Sequence, residues 1–260
     1  MKIKAKYSIS LIVTAVALLA FSGPVHACVC FEKLAKKSYV FKTYLKGDDI
    51  KIESKDGAVT LTGTVSGESH KSLAQETVAS LPGVKSVDNR LAVKGDRPAE
   101  KSDAWISTEV KTTLLFHRSV SSMTEVNTKD GIVTLKGEAD NQAQKDLTTE
   151  YAKDVEGVKD VQNEMVVSKT AKKTHTTVGE KIDDASITAL VKMMLLYHRS
   201  TSALNTTVET KHGVVTMGGT AKKSAAKDLV SKLVNDVKGV KNVKNQMTIE
   251  ESKQILPANQ

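Results

Sequence analysis

The sequence predicts an α+β protein made of three tandem copies of one small module, each ordered α-β-β-α-β, with a three-stranded mixed sheet covered by two helices. Three landmarks carry this reading. A short run appears three times, as Asp56-Gly57-Ala58-Val59-Thr60-Leu61-Thr62-Gly63, Asp130-Gly131-Ile132-Val133-Thr134-Leu135-Lys136-Gly137 and His212-Gly213-Val214-Val215-Thr216-Met217-Gly218-Gly219. A Gly-Val pair begins 26 residues after the first glycine of each run, at Gly83-Val84, Gly157-Val158 and Gly239-Val240. Six residues after that second glycine stands Asn89, Asn163 or Asn245. Three landmarks held in one register three times define a repeat, and a repeat fixes the architecture before any single element is assigned.

Each landmark has a physical reason. Asp-Gly between two β-type segments is a tight hairpin signal, because such turns need positive φ and glycine supplies it without steric cost. The strand that follows alternates, which places Val59 and Leu61, Val133 and Leu135, or Val215 and Met217 on a buried face. The next segment carries apolar residues at helical spacing: Ala74, Val78, Leu81; then Ala143, Leu147, Tyr151, Val155; then Ala226, Leu229, Leu233, Val237. The Gly-Val pair caps that helix and opens a last strand, over 84–93, 158–167 and 240–249. Ahead of each hairpin lies another helix. It is predicted over 103–118 and 184–199, each opened by an aspartate suited to N-capping, with a looser equivalent over 32–45.

The first residues read as an export leader. Lys2, Lys4 and Lys6 precede an apolar stretch from Ile9 to Phe21, and Val25-His26-Ala27 places small residues at the −3 and −1 positions of a cleavage site. The stretch is short for a membrane span, which takes about 20 residues. The expectation is a signal peptide over 1–27 and a periplasmic mature chain. Ala27-Cys28 also resembles a lipobox, so an anchor at the outer membrane through Cys28 stays open. Cys28 and Cys30 are the only cysteines. Two residues apart, they make neither a Cys-x-x-Cys motif nor a zinc site without histidine partners. The modules are placed at 28–94, 103–168 and 181–252. Units this small bury only thin cores, so some packing between modules is expected, although each is read as a bead with its own core.

The Asp-Gly-x-Val-x-Leu-x-Gly run, the amphipathic helix and the Gly-Val-x-x-Val-x-Asn ending resemble the BON domain, named for an osmotically inducible periplasmic protein and nodulation proteins. The resemblance covers nearly all of the predicted mature chain. His212 departs from it by replacing the turn aspartate. The resemblance implies an envelope protein that responds to osmotic stress. It also implies binding to anionic phospholipid or, alternatively, chaperone action on unfolded periplasmic proteins. The shared positions are turn glycines and core residues, so the resemblance transfers no lipid-contact residue.

Charge separates the copies. Residues 28–95 sum to +3, 96–169 to −4 and 170–260 to +6. On the first helix of the third copy, Ile187, Val191, Met194 and Leu195 share one face, whereas Met193 and Leu196 fall outside it and Tyr197 flanks it. The outliers of the second copy are Leu115 and Phe116, joined by Trp105. This second apolar surface either packs against a neighbouring module or forms an exposed patch that enters lipid or captures unfolded chains. On the second reading the lipid-binding candidates are Lys192, Met193, Leu196, Tyr197, Arg199, Trp105 and Phe116, and Lys222, Lys223, Lys227 and Lys232 make the third copy the better electrostatic match.

Both first helices end alike, in Phe116-His117-Arg118-Ser119 and Tyr197-His198-Arg199-Ser200. Cations at a helix C-terminus are favoured by its dipole. A phosphate contact and general-base catalysis are the other uses weighed for the two histidines, but neither has a nucleophile or second ligand nearby in sequence. The sequence contains no phosphate loop, nucleophile elbow or His-Glu-x-x-His motif, so no enzyme, cofactor or metal is expected. Nucleic acid is disfavoured by the acidic middle copy and by an aromatic content of 4%, since single-strand binders rely on stacking platforms.

Overall fold

The repeat folds as three α+β modules. The structure is a computed structural model that describes residues 31–95, 98–120, 123–168, 181–201 and 205–250. The leader assigned to 1–27, together with Cys28 and Cys30, lies outside the described residues. The first module runs α1 (Phe31–Lys37), α2 (Tyr39–Thr43), β1 (Asp49–Lys55), β2 (Ala58–Val65), α3 (Glu68–Ala79) and β3 (Ser86–Val93). The second runs α4 (Asp103–Phe116), β4 (Glu125–Lys129), β5 (Ile132–Lys136), β6 (Glu138–Ala139), α5 (Gln142–Lys153), β7 (Asp160–Asn163) and β8 (Val166–Val167). The third runs α6 (Asp184–Tyr197), β9 (Asn205–Lys211), β10 (Val214–Ala221), α7 (Ser224–Asn235), β11 (Asn242–Asn245) and β12 (Thr248–Ile249).

In each module the hairpin is antiparallel and the last strand joins it in parallel after the helical crossover. The central strand pairs with both neighbours: β2 with β1 and β3, β5 with β4 and β7, β10 with β9 and β11. The sheets are therefore mixed.

The hairpin turns show why His212 can stand where the other copies have aspartate. Asp56, Asp130 and His212 all sit in the left-handed region, with φ of 54°, 54° and 53°. Asp and His are among the non-glycine residues enriched there, and a following glycine completes a turn that needs positive φ twice. In the second and third modules the first helix holds this turn. Asp103 accepts from the backbone N–H of Asp130 and Gly131 at 2.8 Å each, and Asp184 accepts from those of His212 and Gly213 at 2.7 and 2.8 Å. Those aspartates are thus not the N-caps expected of them. The caps are one residue earlier, at Ser102 and Asp183, whose side chains accept from the N–H of Trp105 and Ser186. A capping residue must stay outside the helix to reach the N2 or N3 amide, which leaves the first helical residue free to reach across to the turn.

The repeated asparagine is a staple. The Asn163 amide donates to the Lys145 carbonyl and Thr149 Oγ1, while its oxygen accepts from the Met165 N–H. Asn245 repeats this with Lys227, Ser231 and Met247, and Asn89 with Lys71, Gln75 and Leu91. One side chain ties the last strand to the second helix and takes a backbone N–H out of the ladder. In the second and third modules the ladder breaks at that point, so the strands predicted over 158–167 and 240–249 are each two short strands.

The expectation of three separate cores needs correction. The second module keeps its own core around Ile106, Val110, Val133, Leu135 and Met165. The first and third modules form one continuous core, which Phe116 of the second module also enters.

Candidate functional site

The site of interest is the seam where the modules meet. Sequence grammar predicts helices to Arg118 and Arg199, but α4 and α6 end at Phe116 and Tyr197. The His-Arg-Ser segments leave their helices and cross to the other module. The Arg118 N–H donates to the Asp236 carbonyl at 2.9 Å, and the Arg199 N–H to the Asp154 carbonyl at 2.7 Å. His117 bridges to Val237, and His198 to Val155, as single antiparallel β-bridges. The Arg118 guanidinium caps the Asn235 carbonyl at the end of α7, and that of Arg199 caps the Lys153 carbonyl at the end of α5. Each module gives the segment and receives it, the reciprocity of an isologous two-fold contact. The dipole argument that places cations at helix C-termini holds, but the helix served belongs to the neighbour.

Asp154 and Asp236 are the receiving groups. A carboxylate at a helix C-terminus is unfavourable on its own, and here each is surrounded by donors from the other module. Asp236 Oδ2 lies 3.1 Å from His117 Nδ1 and accepts from Ser119 Oγ and from the Tyr151 hydroxyl at 2.9 Å. Asp154 Oδ2 lies 2.9 Å from His198 Nδ1, and its Oδ1 accepts from the Ser200 N–H and Oγ. Burial by itself would raise both carboxyls. The hydrogen bonds from the facing histidine and serine outweigh it and hold both below the ordinary aspartate value.

The two imidazoles meet at the centre. His117 and His198 have no solvent exposure, and their Nε2 atoms are 2.9 Å apart. His117 also stacks on Tyr151, with ring centroids 3.7 Å apart. Burial, more than the repulsion of His198 and Lys238, depresses the His117 pKa below the ordinary imidazole value against the opposing pull of Asp236. The phosphate and general-base uses fail here because neither ring can meet a ligand.

A second seam joins the first and third modules. The helix expected over 32–45 is broken at Ser38 into α1 and α2. The freed Tyr39 N–H donates to Asp183 Oδ2 at 2.8 Å, and that of Val40 to Ser186 Oγ at 3.1 Å. Lys192 donates to Glu76 at 2.8 Å. Tyr39, Tyr44, Phe116 and Tyr197 follow one another as an aromatic chain through all three modules, with successive ring centroids 5.8, 6.1 and 6.5 Å apart.

This seam decides between the two readings of the second apolar surface for several residues. Met193 and Phe116 are 1% and 2% exposed and are covered by neighbouring modules. Their expected availability to lipid is corrected, since module packing removes them from solvent. Tyr197 packs against the shared core and Trp105 against that of the second module. Lys192 is engaged by Glu76 and Arg199 by Lys153. Leu196 stays exposed, at 55%. The charged face of α7 and the turn before it also stays outside: Lys222, Lys223 and Lys232 are exposed and Lys227 is half-buried. Among the described residues, no group of three or more His, Cys, Asp or Glu could hold a metal ion, and no helix is long and apolar enough to cross a membrane.

The sequence reading missed Asp154, Asp236 and Tyr151. A signal existed for the two aspartates. Asp154-Val155-Glu156-Gly157 recurs as Asp236-Val237-Lys238-Gly239, whereas the first copy has Ser80-Leu81-Pro82-Gly83. The two copies with the aspartate are the two whose first helix is followed by His-Arg-Ser.

The BON domain pattern matches residues 33–95, 102–169 and 183–251, one match per module. The chain belongs to the BON domain family. A BON relative, osmotically-inducible protein Y of Escherichia coli (strain K12), is 33% identical over 135 residues, spanning 50% of this chain and 67% of the relative. A protein from the gshII 5′ region of Anaplasma centrale is 32% identical over 116 residues, 43% of this chain and 77% of its own. Among solved structures, a structural protein of the type III secretion system of Chlamydia trachomatis covers 86% of this BON chain and 91% of its own at 16% identity. Its TM-score of 0.25 carries no argument.

Proposed function

We propose that this BON protein is a non-enzymatic component of the cell envelope whose third module associates with anionic phospholipid surfaces during osmotic stress. The observation that supports this reading is what folding leaves uncovered. Packing between modules covers much of α6 but leaves Leu196 55% exposed, and Lys222, Lys223 and Lys232 remain exposed, as does Leu229 at 37%. α7 itself is anchored in the core through Val230, Leu233 and Val234. A docked helix that leaves an apolar side chain and lysines exposed suits an anionic headgroup layer, where each lysine contributes about 1 kcal/mol. The similarity to osmotically-inducible protein Y supports the osmotic setting. The leader read from residues 1–27 supports export to the periplasm, with Cys28 as an alternative anchor.

Vesicle co-sedimentation tests it. The chain lacking 1–27 is expected to bind vesicles increasingly as phosphatidylglycerol replaces phosphatidylcholine, and to release as salt rises. Replacing Lys222, Lys223 and Lys232 together by glutamine is expected to weaken binding by tenfold or more, following the same contribution per lysine. Binding that ignores lipid charge or survives the triple substitution contradicts the proposal. Suppressed aggregation of unfolded proteins without vesicle binding would support the chaperone reading instead.

A further inference from the structure

The contact between the second and third modules has a proton inventory that can be read from its partners. Asp236 and Asp154, held ionised, can only accept, so the facing Nδ1 of His117 and of His198 must each carry a hydrogen. The two Nε2 atoms, 2.9 Å apart, bond only if one hydrogen lies between them. The docked pair therefore holds three ring protons, a single imidazolium charge shared between two rings. Two protons would set lone pair against lone pair. Four would set N–H against N–H, with two cations buried in contact.

We propose that the His117–His198 pair is an acid-sensitive latch that holds the second and third modules together and releases them when a fourth proton arrives. Every charged or titratable group facing the pair fits this role. Asp236 and Asp154 each hold one ring from the ends of α7 and α5. Tyr151 lies flat on His117 and spends its hydroxyl on Asp236. Lys238 adds positive charge near His117. Arg118 and Arg199 cap the neighbouring helix ends. The two carboxylates are balanced by the one shared charge and the capping arginines, and the site has no acceptor left for a second imidazolium proton.

The sign follows from the inventory. Separated modules expose both imidazoles, which together take up four ring protons below their ordinary pKa of about 6.5. The docked pair keeps three, so the difference grows from none at about pH 6.5, where each free ring is half protonated, to nearly one proton at pH 5, and acid favours separation below pH 6.5. The burial that depresses the His117 pKa acts against a further proton in the docked pair, which has the same sign. The carboxylates titrate lower and leave the window from pH 6.5 to 5 to the histidines. Release uncovers Phe116 and Tyr197, so the latch controls apolar surface. The inference does not depend on the lipid reading.

Hydrogen exchange on the chain lacking 1–27 tests it at two amides, those of Arg118 and Arg199, whose acceptors lie on the opposite module. Corrected for intrinsic rates, their protection is expected to fall about eightfold in all between pH 6.5 and 5, most steeply towards pH 5, while Leu61 and Leu135 within the sheets hold constant. Protection at Arg118 and Arg199 that stays flat overturns the latch. The double variant His117→Gln, His198→Gln, whose amides can pair but not titrate, is expected to abolish the step, and a step that persists in it also overturns the proposal. Should that variant not fold, nitrogen-15 NMR of the unaltered imidazoles decides. Three ring protons on the pair at neutral pH support the latch, and two protons on two neutral rings contradict it.

Discussion

Asp236→Ala is expected to separate the second and third modules at neutral pH, at a cost of about 3–5 kcal/mol, the range for removing one partner of a buried ion pair. The single carboxylate accepts from His117, Ser119 and Tyr151, and its side chain is only 15% exposed. Its loss strands the shared imidazolium charge and leaves the Tyr151 hydroxyl without its acceptor. Asp154→Ala is expected to act in the same direction from the other half of the contact. Asp236→Asn keeps the shape but withdraws the charge, and should fall between the alanine variant and the unaltered chain. Because both carboxyls are depressed in the folded state, their contribution is present above pH ~4 and is lost as pH falls below it. Urea unfolding at pH 7, following the fluorescence of Trp105 in the second module, measures the cost. An alanine variant as stable as the parent would remove Asp236 from any part in docking.

Gly219→Ala is expected to be at least as damaging, for a local reason. Gly219 has φ of +115°, a conformation that side chains rarely adopt, and it lies against the Asn205 carbonyl of the paired strand. A β-carbon there would overlap that oxygen, so β9 and β10 must part or the backbone must change region. Strain of this kind costs about 1–3 kcal/mol before any pairing is lost, and the expected total is about 3 kcal/mol or more. Gly137 is the internal comparison. Its added β-carbon would lie 2.8 Å from the Met123 carbonyl, so Gly137→Ala should be milder. The third module shares its core with the first, and Gly219→Ala should therefore lower the urea midpoint of both together. Equal midpoints for the Gly219 and Gly137 variants would show that the close approach does not set the cost.

What the sequence made legible was local. The Asp-Gly turns, the alternation of Val133 and Leu135, the helix-ending Gly157 and the position of Asn163 each act within a few residues of where they are written. The repeat confirmed each of them three times. The seam was legible only in part. Phe116-His117-Arg118-Ser119 was visible as a repeated motif, but nothing near it names Asp236, more than a hundred residues away. The surplus of Met193 and Phe116 was visible on a helical wheel, yet periodicity cannot say whether a second apolar face meets solvent or a neighbour. Tertiary contact decides that, and it also moved the helix ends. His117 and Arg118 have the composition of a helix terminus, and they left the helix because better acceptors stood on the facing module. The broken helix of the first module has the same cause, since the N–H groups freed at Ser38 are taken by Asp183 and Ser186.

The central claim is that three similar modules form one body, closed by reciprocal His-Arg-Ser contacts, and small-angle X-ray scattering tests it most directly. At pH 7.5 the chain lacking residues 1–27 is expected to scatter as one compact particle with a radius of gyration of about 17–19 Å, the value for a folded body of roughly this length. Three modules moving independently on their linkers would give roughly 25 Å or more, by the same scaling with the modules spaced one diameter apart, and that result would contradict the account.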